Sequence, residues 1–390
     1  VTGLDGGAWP APLGNGANDR TSPVPLSGRG RVRWRAALPH RHVTGLAVAA
    51  NGLCFVTSPR RLLALDGPAI RWSADVLAPR SCLLLGDGLL AVADAGGLAV
   101  RDQLTGSVVT TIGATVLSDP VLLANGLLAF LAGKEGGIVL RAAEPAGGTR
   151  WEVELDALPY PPLVLRDEVI VVEGEVVRAF GGDGGARWSA GRHAFRAAPG
   201  VADPPGEPGE VDGVLVGLPG GGVLVPVRAD DVMGYLVIDP RRGDVGAVPA
   251  HLRPGAPVVP LHDRENGREL LVLPGWPETA AHGEPRPTVT VADLGSGATV
   301  QRHLVPGAPH AMAAGAGGLV AVAGGPPLER WSRYHGQPGY DLRAECYVLF
   351  LDKDGIRGGW QPGRPITGPL AVGAEGELIV PLPGELIGLE

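Results

Sequence analysis

The chain has 390 residues, a formal net charge of −8, and 45% hydrophobic residues, with 62 Gly and 38 Pro. That hydrophobic share, without a low-complexity tract, excludes a disordered polymer, and no apolar run reaches the roughly 18 residues of a membrane helix. Only Lys134 and Lys353 are lysines, a skew towards Arg that fits a GC-rich bacterial genome, and the positive charge forms no basic stripe, so nucleic acid does not read as a partner.

Residues 1–30 form a lead-in containing "WPAPLGNGANDRTSP", with neither a charged-then-apolar signal peptide nor a lipid-attachment Cys. The chain therefore reads as a cytoplasmic protein, or as a mature periplasmic or secreted form from which a leader was removed. "GRVRW" follows, ending at Trp34 with no hairpin partner ahead of it.

The first complete unit comes next. "GLAVAA" is its first strand, and Asn51-Gly52 turns it into "LCFVTS". "RLLALD" is the third strand and "AIRW" the fourth, ending at Trp72. The second hairpin of this unit recurs along the chain, closing at Val109, Trp151, Trp188, Val248, Val300 and Trp360. Trp34 to Trp72 is 38 residues and Trp151 to Trp188 is 37. A period near 40 with four short strands per unit is the signature of a β-propeller. The turn dipeptide returns as Asp87-Gly88 and Asn125-Gly126, residues that tolerate the positive φ of two-residue hairpins. An acidic residue such as Asp66, Asp102, Asp293 or Asp352 ends strand three, placed to accept turn amides, and Gly106, Gly297 or Gly355 follows it in the left-handed position. Tryptophan on strand four is expected to dock in the wedge between neighbouring blades, with a partner for its indole N–H.

The units number eight once the ends are combined. The strand at 31–35 lacks its first three partners, and the last unit, 366–390, lacks its fourth. The expected fold is all-β: an eight-bladed β-propeller of four-stranded antiparallel blades, whose N-terminal strand closes the last blade. Residues 31–390 form one domain, with insertions at about 201–212, 274–287 and 324–343. Cys54, Cys82 and Cys346 are scattered inside apolar runs and read as buried free thiols.

The pattern carried by "LLALDGPAIRW", "AVRDQLTGSVV" and "VIDPRRGDVGAV" resembles the repeat of pyrroloquinoline quinone-like β-propellers. That group includes quinoprotein dehydrogenases and scaffolds of the outer-membrane assembly factor B type, and the resemblance spans residues 9 to 390. Its quinone-dependent members carry adjacent half-cystines over the cofactor and a calcium ion. This chain has no adjacent cysteines and no such calcium set, so the resemblance implies the fold without the quinone, and no cofactor is expected. "DKDG" at 352–355 lacks the later bidentate Glu of a calcium loop and reads as a turn.

In a propeller the starts of the first strands line one mouth of the channel. Counting back from the turns places Thr44, Arg80, Ser118 and Tyr160 there, with His42, Asp119, Arg196 and Arg253 as neighbours and His310 at the same register. Arg80, Arg196, Arg253 and Ser118 are candidate ligands for a carboxylate or phosphate, since Arg forks match those groups. His42 and His310, with Asp119 and Tyr160, are the candidate acid–base groups. No third ligand joins the two imidazoles, so no metal is expected. The insertions at 274–287 and 324–343 leave on the same face and bring Trp276, Trp331, Tyr334, His335 and Tyr340. There is no G-x-S-x-G and no H-E-x-x-H, and "GLPGGGVLV" precedes a strand, unlike a phosphate loop.

The sequence thus supports a monomeric, non-enzymatic propeller that binds a small polar or anionic molecule, or a protein, at the channel mouth. The competing reading is a cofactor-independent lyase, hydrolase or cyclase working by His acid–base chemistry in the axial pocket.

Overall fold

A computed structural model describes residues 9–11, 14, 20–156, 161–173, 176–191, 210–211, 215–229, 232–239, 244–248, 257–263, 265–279, 285–334, 336–337 and 341–390. Eight antiparallel sheets follow one another along the chain, and in blades 1, 2, 4, 6 and 7 the four strands pair in sequence order. In blade 1 these are Gly45–Val48, Leu53–Ser58, Arg61–Asp66 and Ala69–Asp75. The eighth sheet takes Ala371–Val372, Leu378–Leu382 and Glu385–Leu389 from the C-terminus and Val32–Ala37 from the N-terminus. Trp34 lies opposite Gly388, and Arg31 and Glu390 exchange backbone hydrogen bonds at 3.0 and 2.8 Å. The ring is therefore closed by pairing its two ends, as the repeat count requires. No helix among the described residues is long and apolar enough to cross a membrane.

Burial explains why the strands sit where they do. The inner strands Gly45–Val48 and Cys82–Leu85 are buried along their whole length. Fourth strands alternate exposed and half-buried positions, because only one face can reach a neighbouring blade. Apolar side chains from adjacent blades merge into shared clusters, such as Phe55 and Leu62 with Cys82, Leu84 and Val92. The three cysteines are free and buried, and desolvation pushes the Cys82 and Cys346 thiols up to about 12.

The hairpins correct one expectation. The first turns are three-residue loops: Ala49 N–H reaches Leu53, Leu85 pairs with Leu89, and Leu123 N–H reaches Leu127. Gly52 and Gly126 take the left-handed position at φ +85° and +83°, while Asp87 and Gly88 both lie at positive φ. The second turns form as expected. Asp102 Oδ1 accepts from the N–H groups of Leu104 and Thr105, and Asp293 Oδ1 from Ser296 N–H and Oγ–H.

A bulge at the start of most fourth strands moves the docking position. Ala64 faces Trp72, and Val100, Ala142 and Ala179 face Thr110, Trp151 and Trp188 in the same register. The equivalents in blades 2, 6 and 7 are thus Thr110, Gln301 and Gly358, not Val109, Val300 and Trp360. Each bulge places two residues of strand four against one of strand three, which plain counting misses.

The N-terminal segment is part of the ring's underside. Trp9 exchanges backbone hydrogen bonds with Val48, and Pro10 accepts from Leu84 N–H. Gly14 packs so closely on Thr21 that a Cβ there would lie 2.9 Å from the Thr21 nitrogen. Arg20 and Ser22 then bracket Ala314, and Arg20 Nη1 donates to Val258 O at 3.1 Å. Val48, Leu84 and Ala314 are equivalent residues, the last but one before each first turn. The segment thus satisfies the inner-strand edges of blades 1, 2 and 7, and reaches blade 6, opposite blade 2 in the ring.

Candidate functional site

The mouth on the other face is built by the starts of the first strands. Blade 3 shows how a polar group is placed there. Its inner strand is broken into Thr115–Val116 and Val121–Leu122, both paired to Leu128–Lys134. The excursion between them carries Ser118 and Asp119. Ser118 is 2% exposed; its Oγ accepts from Leu131 N–H and donates to the Asp119 carbonyl, each at 3.0 Å. The hydroxyl replaces the acceptor that the broken strand lacks, so its observed work is structural.

Asp119 is half-buried and accepts a hydrogen bond from Ser81 Oγ of blade 2. Burial raises its pKa, opposed by the Ser81 hydroxyl and by the charge of Arg80. Arg80 is exposed, and its backbone N–H is fixed to Ala93 O at 2.9 Å. Arg80, Ser81 and Asp119 thus lie together at this point of the mouth, with Ser118 beside them turned to backbone partners. Ser81 was missed; the signal was a hydroxyl one residue past the register position, at a strand start.

His310 begins the inner strand Pro309–Ala314 of blade 7. Its imidazole is exposed to water yet surrounded by protein, and desolvation lowers its pKa against the pull of the Ala308 and Ile366 carbonyls. Nδ1 lies 3.4 Å from Ala308 O. Next to Ile366, the Thr367 Oγ1 is buried, with no hydrogen-bond partner among the described residues. His42 is exposed in the connection from blade 8 to blade 1, and among the described residues no hydrogen bond links it to His310. Among those residues, too, no three His, Cys, Asp or Glu side chains gather to hold a metal.

The blade 7 insertion folds into a short helix, α1, Leu328–Tyr334. Arg330 forks onto Glu345 at 2.9 and 3.1 Å, tying the helix to the returning chain. Trp331 and Tyr334 are half-buried, and the Arg333 guanidinium lies 5.9 Å from the Tyr334 ring centre. The root of the insertion is locked to the mouth. Gly325 N–H donates to Ala308 O at 3.2 Å, and Tyr347 Oη donates to Gly307 O at 3.1 Å. Gly307 sits so tightly that a Cβ would lie 2.5 Å from Glu345 O. The Ala308 carbonyl therefore joins the insertion to His310.

The blade 6 insertion does not form a separate lid at its base. It lengthens the hairpin Arg268–Thr279 with Pro285–Asp293, and Trp276 falls at the register shift between Gly275 and Glu278. Tyr160, Arg196, Arg253, His335 and Tyr340, and most of the insertion at 201–212, lie outside the described residues.

The opposite face holds a cavity of about 840 Å³ between the N-terminal segment and blades 5 to 7. Pro10, Pro23, His262, Gly317 and Lys353 help to line it. It depends on where the N-terminal segment lies, which no local sequence pattern reveals.

The geometry defines an eight-bladed β-propeller with polar side chains at the strand-one starts and an aromatic insertion rooted beside His310. No family profile and no curated protein matches the sequence. Solved structures share the fold. BamB from Moraxella catarrhalis is 13% identical with a TM-score of 0.60, over 92% of this chain and 99% of that one. The Dos1 propeller is 11% identical with a TM-score of 0.60, over 92% and 94%.

Proposed function

We propose that the protein is a non-enzymatic binding propeller of the pyrroloquinoline quinone-like repeat type. Its working surface is the channel mouth together with α1, and its partner is a polar or anionic molecule or a carboxylate-bearing segment of a protein. The observation that carries this reading is the shared Ala308 carbonyl, which accepts from Gly325 at the root of the insertion and faces His310 Nδ1. A helix pinned by a bidentate ion pair, with two half-buried aromatic side chains, presents large contact area at low ordering cost. Exposed Arg80 adds an anion-matching fork. The repeat resemblance to assembly-factor scaffolds supports the same reading.

The test is site-specific photo-crosslinking in the cells that make the protein. A photoreactive residue in place of Trp331 should capture a discrete partner, and Arg80→Glu should weaken capture. Products that are identical from any exposed position, or insensitive to Arg80→Glu, count against the reading.

One observation favours acid–base chemistry as a second reading: His310 faces water at a strand-one start, and desolvation lowers its pKa, which favours the neutral imidazole that can accept a proton. In that case His310→Gln should abolish a turnover that Trp331→Ala leaves intact.

A further inference from the structure

The outer edge of blade 2 differs from every other outer edge. In that sheet Val108–Ile112 is the last strand, paired to Gly97–Asp102, and among the described residues no strand lies beside its other row of backbone groups. Its sequence is VVTTI, five β-branched residues without a charge. The other seven outer strands each carry at least one charged side chain, such as Arg35, Arg71, Glu152 and Arg187. Charged residues on an edge strand prevent a second strand from adding to it. Blade 2 alone lacks this protection. It also exposes apolar surface there: Leu104 at 68%, Val108 at 50% and Val109 at 58%.

We propose that this edge is a self-association surface, on which the Val108–Ile112 strand of a second copy pairs antiparallel about a two-fold axis. Charge selects that occupant. In an antiparallel pair centred on Thr110, each Thr110 faces its copy with Val109 and Thr111 on either side, and no like charges are opposed. The same operation on Thr149–Leu155 would set Glu152 against Glu152, which is destabilising. A two-fold pairing also uses up both free edges and stops at the dimer, where a one-way addition would leave an edge open. The monomer expected from sequence then becomes one side of a concentration-dependent equilibrium. The contact is confined to the rim of the ring, so it leaves the mouth and α1 free.

Sedimentation velocity over a wide concentration series tests this on the full chain. Wild type should move from monomer to dimer as concentration rises. Val109→Lys, which adds a charge at an exposed position, should stay monomeric, while Val300→Lys on the outer strand of blade 6 should behave as wild type. Thr110→Cys reads the register directly: its copy lies at the 4.5–5.5 Å Cα spacing of an antiparallel pair, within disulfide range, so mild oxidation should give a covalent dimer. Val300→Cys should not. A wild type that is monomeric throughout, a Val109→Lys protein that associates like wild type, or a Thr110→Cys protein that fails to cross-link where wild type dimerises would each overturn the proposal.

Discussion

The indole N–H of Trp72 donates to the backbone carbonyl of Gln103 at 2.8 Å, and so fastens the fourth strand of blade 1 to the second turn of blade 2. Trp151 makes the same bond to Gly182 at 2.9 Å, and the Gln301 amide reaches Lys353 O at the equivalent place. Three blades therefore dock through one geometry, with two kinds of side chain. Trp188 departs from it and donates to Glu168 within its own blade.

Trp72→Phe keeps most of the packing and removes the N–H, so it should cost about 1 kcal/mol in urea unfolding. Gly106→Ala should cost about 1–3 kcal/mol, because φ is +73° and the new Cβ would lie 2.6 Å from the Trp72 ring. The two should be non-additive: in a Trp72→Ala background the Gly106→Ala cost should shrink. Equal costs in both backgrounds would separate Gly106 from the docking.

Closing the ring through residues 32–37 should matter more than any single outer strand. Deleting residues 28–36 exposes the edge of Glu385–Leu389 and removes Trp34, whose indole packs over Gly388 where a side chain would clash. The melting temperature should fall sharply. Trp34→Ala alone should cost about 2–4 kcal/mol, near the lower end for a core Trp because the ring is half-buried. An unchanged melting temperature after the deletion would contradict the closure.

The second turns should make stability sensitive to acid. The Thr105 hydroxyl, then its backbone N–H, holds the Asp102 carboxyl below the usual range, and Ser296 does the same for Asp293. A carboxylate with a depressed folded pKa contributes stability that is complete above its unfolded value near 4 and is lost as pH falls through the folded one. Asp102→Asn and Asp293→Asn should each flatten the urea midpoint between about pH 5 and pH 2. Thr105→Val, which removes the largest cause, should flatten it as well.

His310 should titrate in the opposite sense from a paired histidine. Its folded pKa lies below the ordinary value of 6.5, mainly through desolvation. Near pH 6 the folded protein then holds fewer protons than the unfolded chain, so this group's contribution falls as pH drops through 6.5 towards the folded value. A proton NMR titration should place the His310 midpoint below the ordinary value of 6.5. A midpoint at or above it would show that the carbonyls of Ala308 and Ile366 outweigh desolvation.

The blades could be read from sequence because each repeats a local pattern: alternating apolar residues, an acidic strand end and a following Gly. Closure could be read because Trp34 and the 366–390 unit are complementary remnants. The docking register could not, since the span from strand three to the docking residue lengthens from Ala64–Trp72 to Val100–Thr110, and blades 2 and 6 carry no Trp there to mark it, so counting lands on Val109 instead of Thr110. Ser118 lies near its expected place, but its hydroxyl repairs a broken strand, a need that exists only once the break at residues 117–120 is seen. The places of Trp9, Pro10, Arg20 and Ser22 under the ring depend on equivalent residues of distant blades, Val48, Leu84 and Ala314, and leave no local periodicity. Charge on the outer strands, by contrast, was fully present in the sequence and gains meaning only when those strands become edges.

The binding surface itself is the central claim, and photo-crosslinking from two positions tests it most directly. One probe replaces Trp331 on α1, and the other replaces Ile70, which is 46% exposed on the outer strand of blade 1, away from the insertion and the strand-one starts. A discrete partner captured from position 331, not from 70, and diminished by Arg80→Glu is the predicted result. The same products from both positions, or capture from 70 alone, would contradict it.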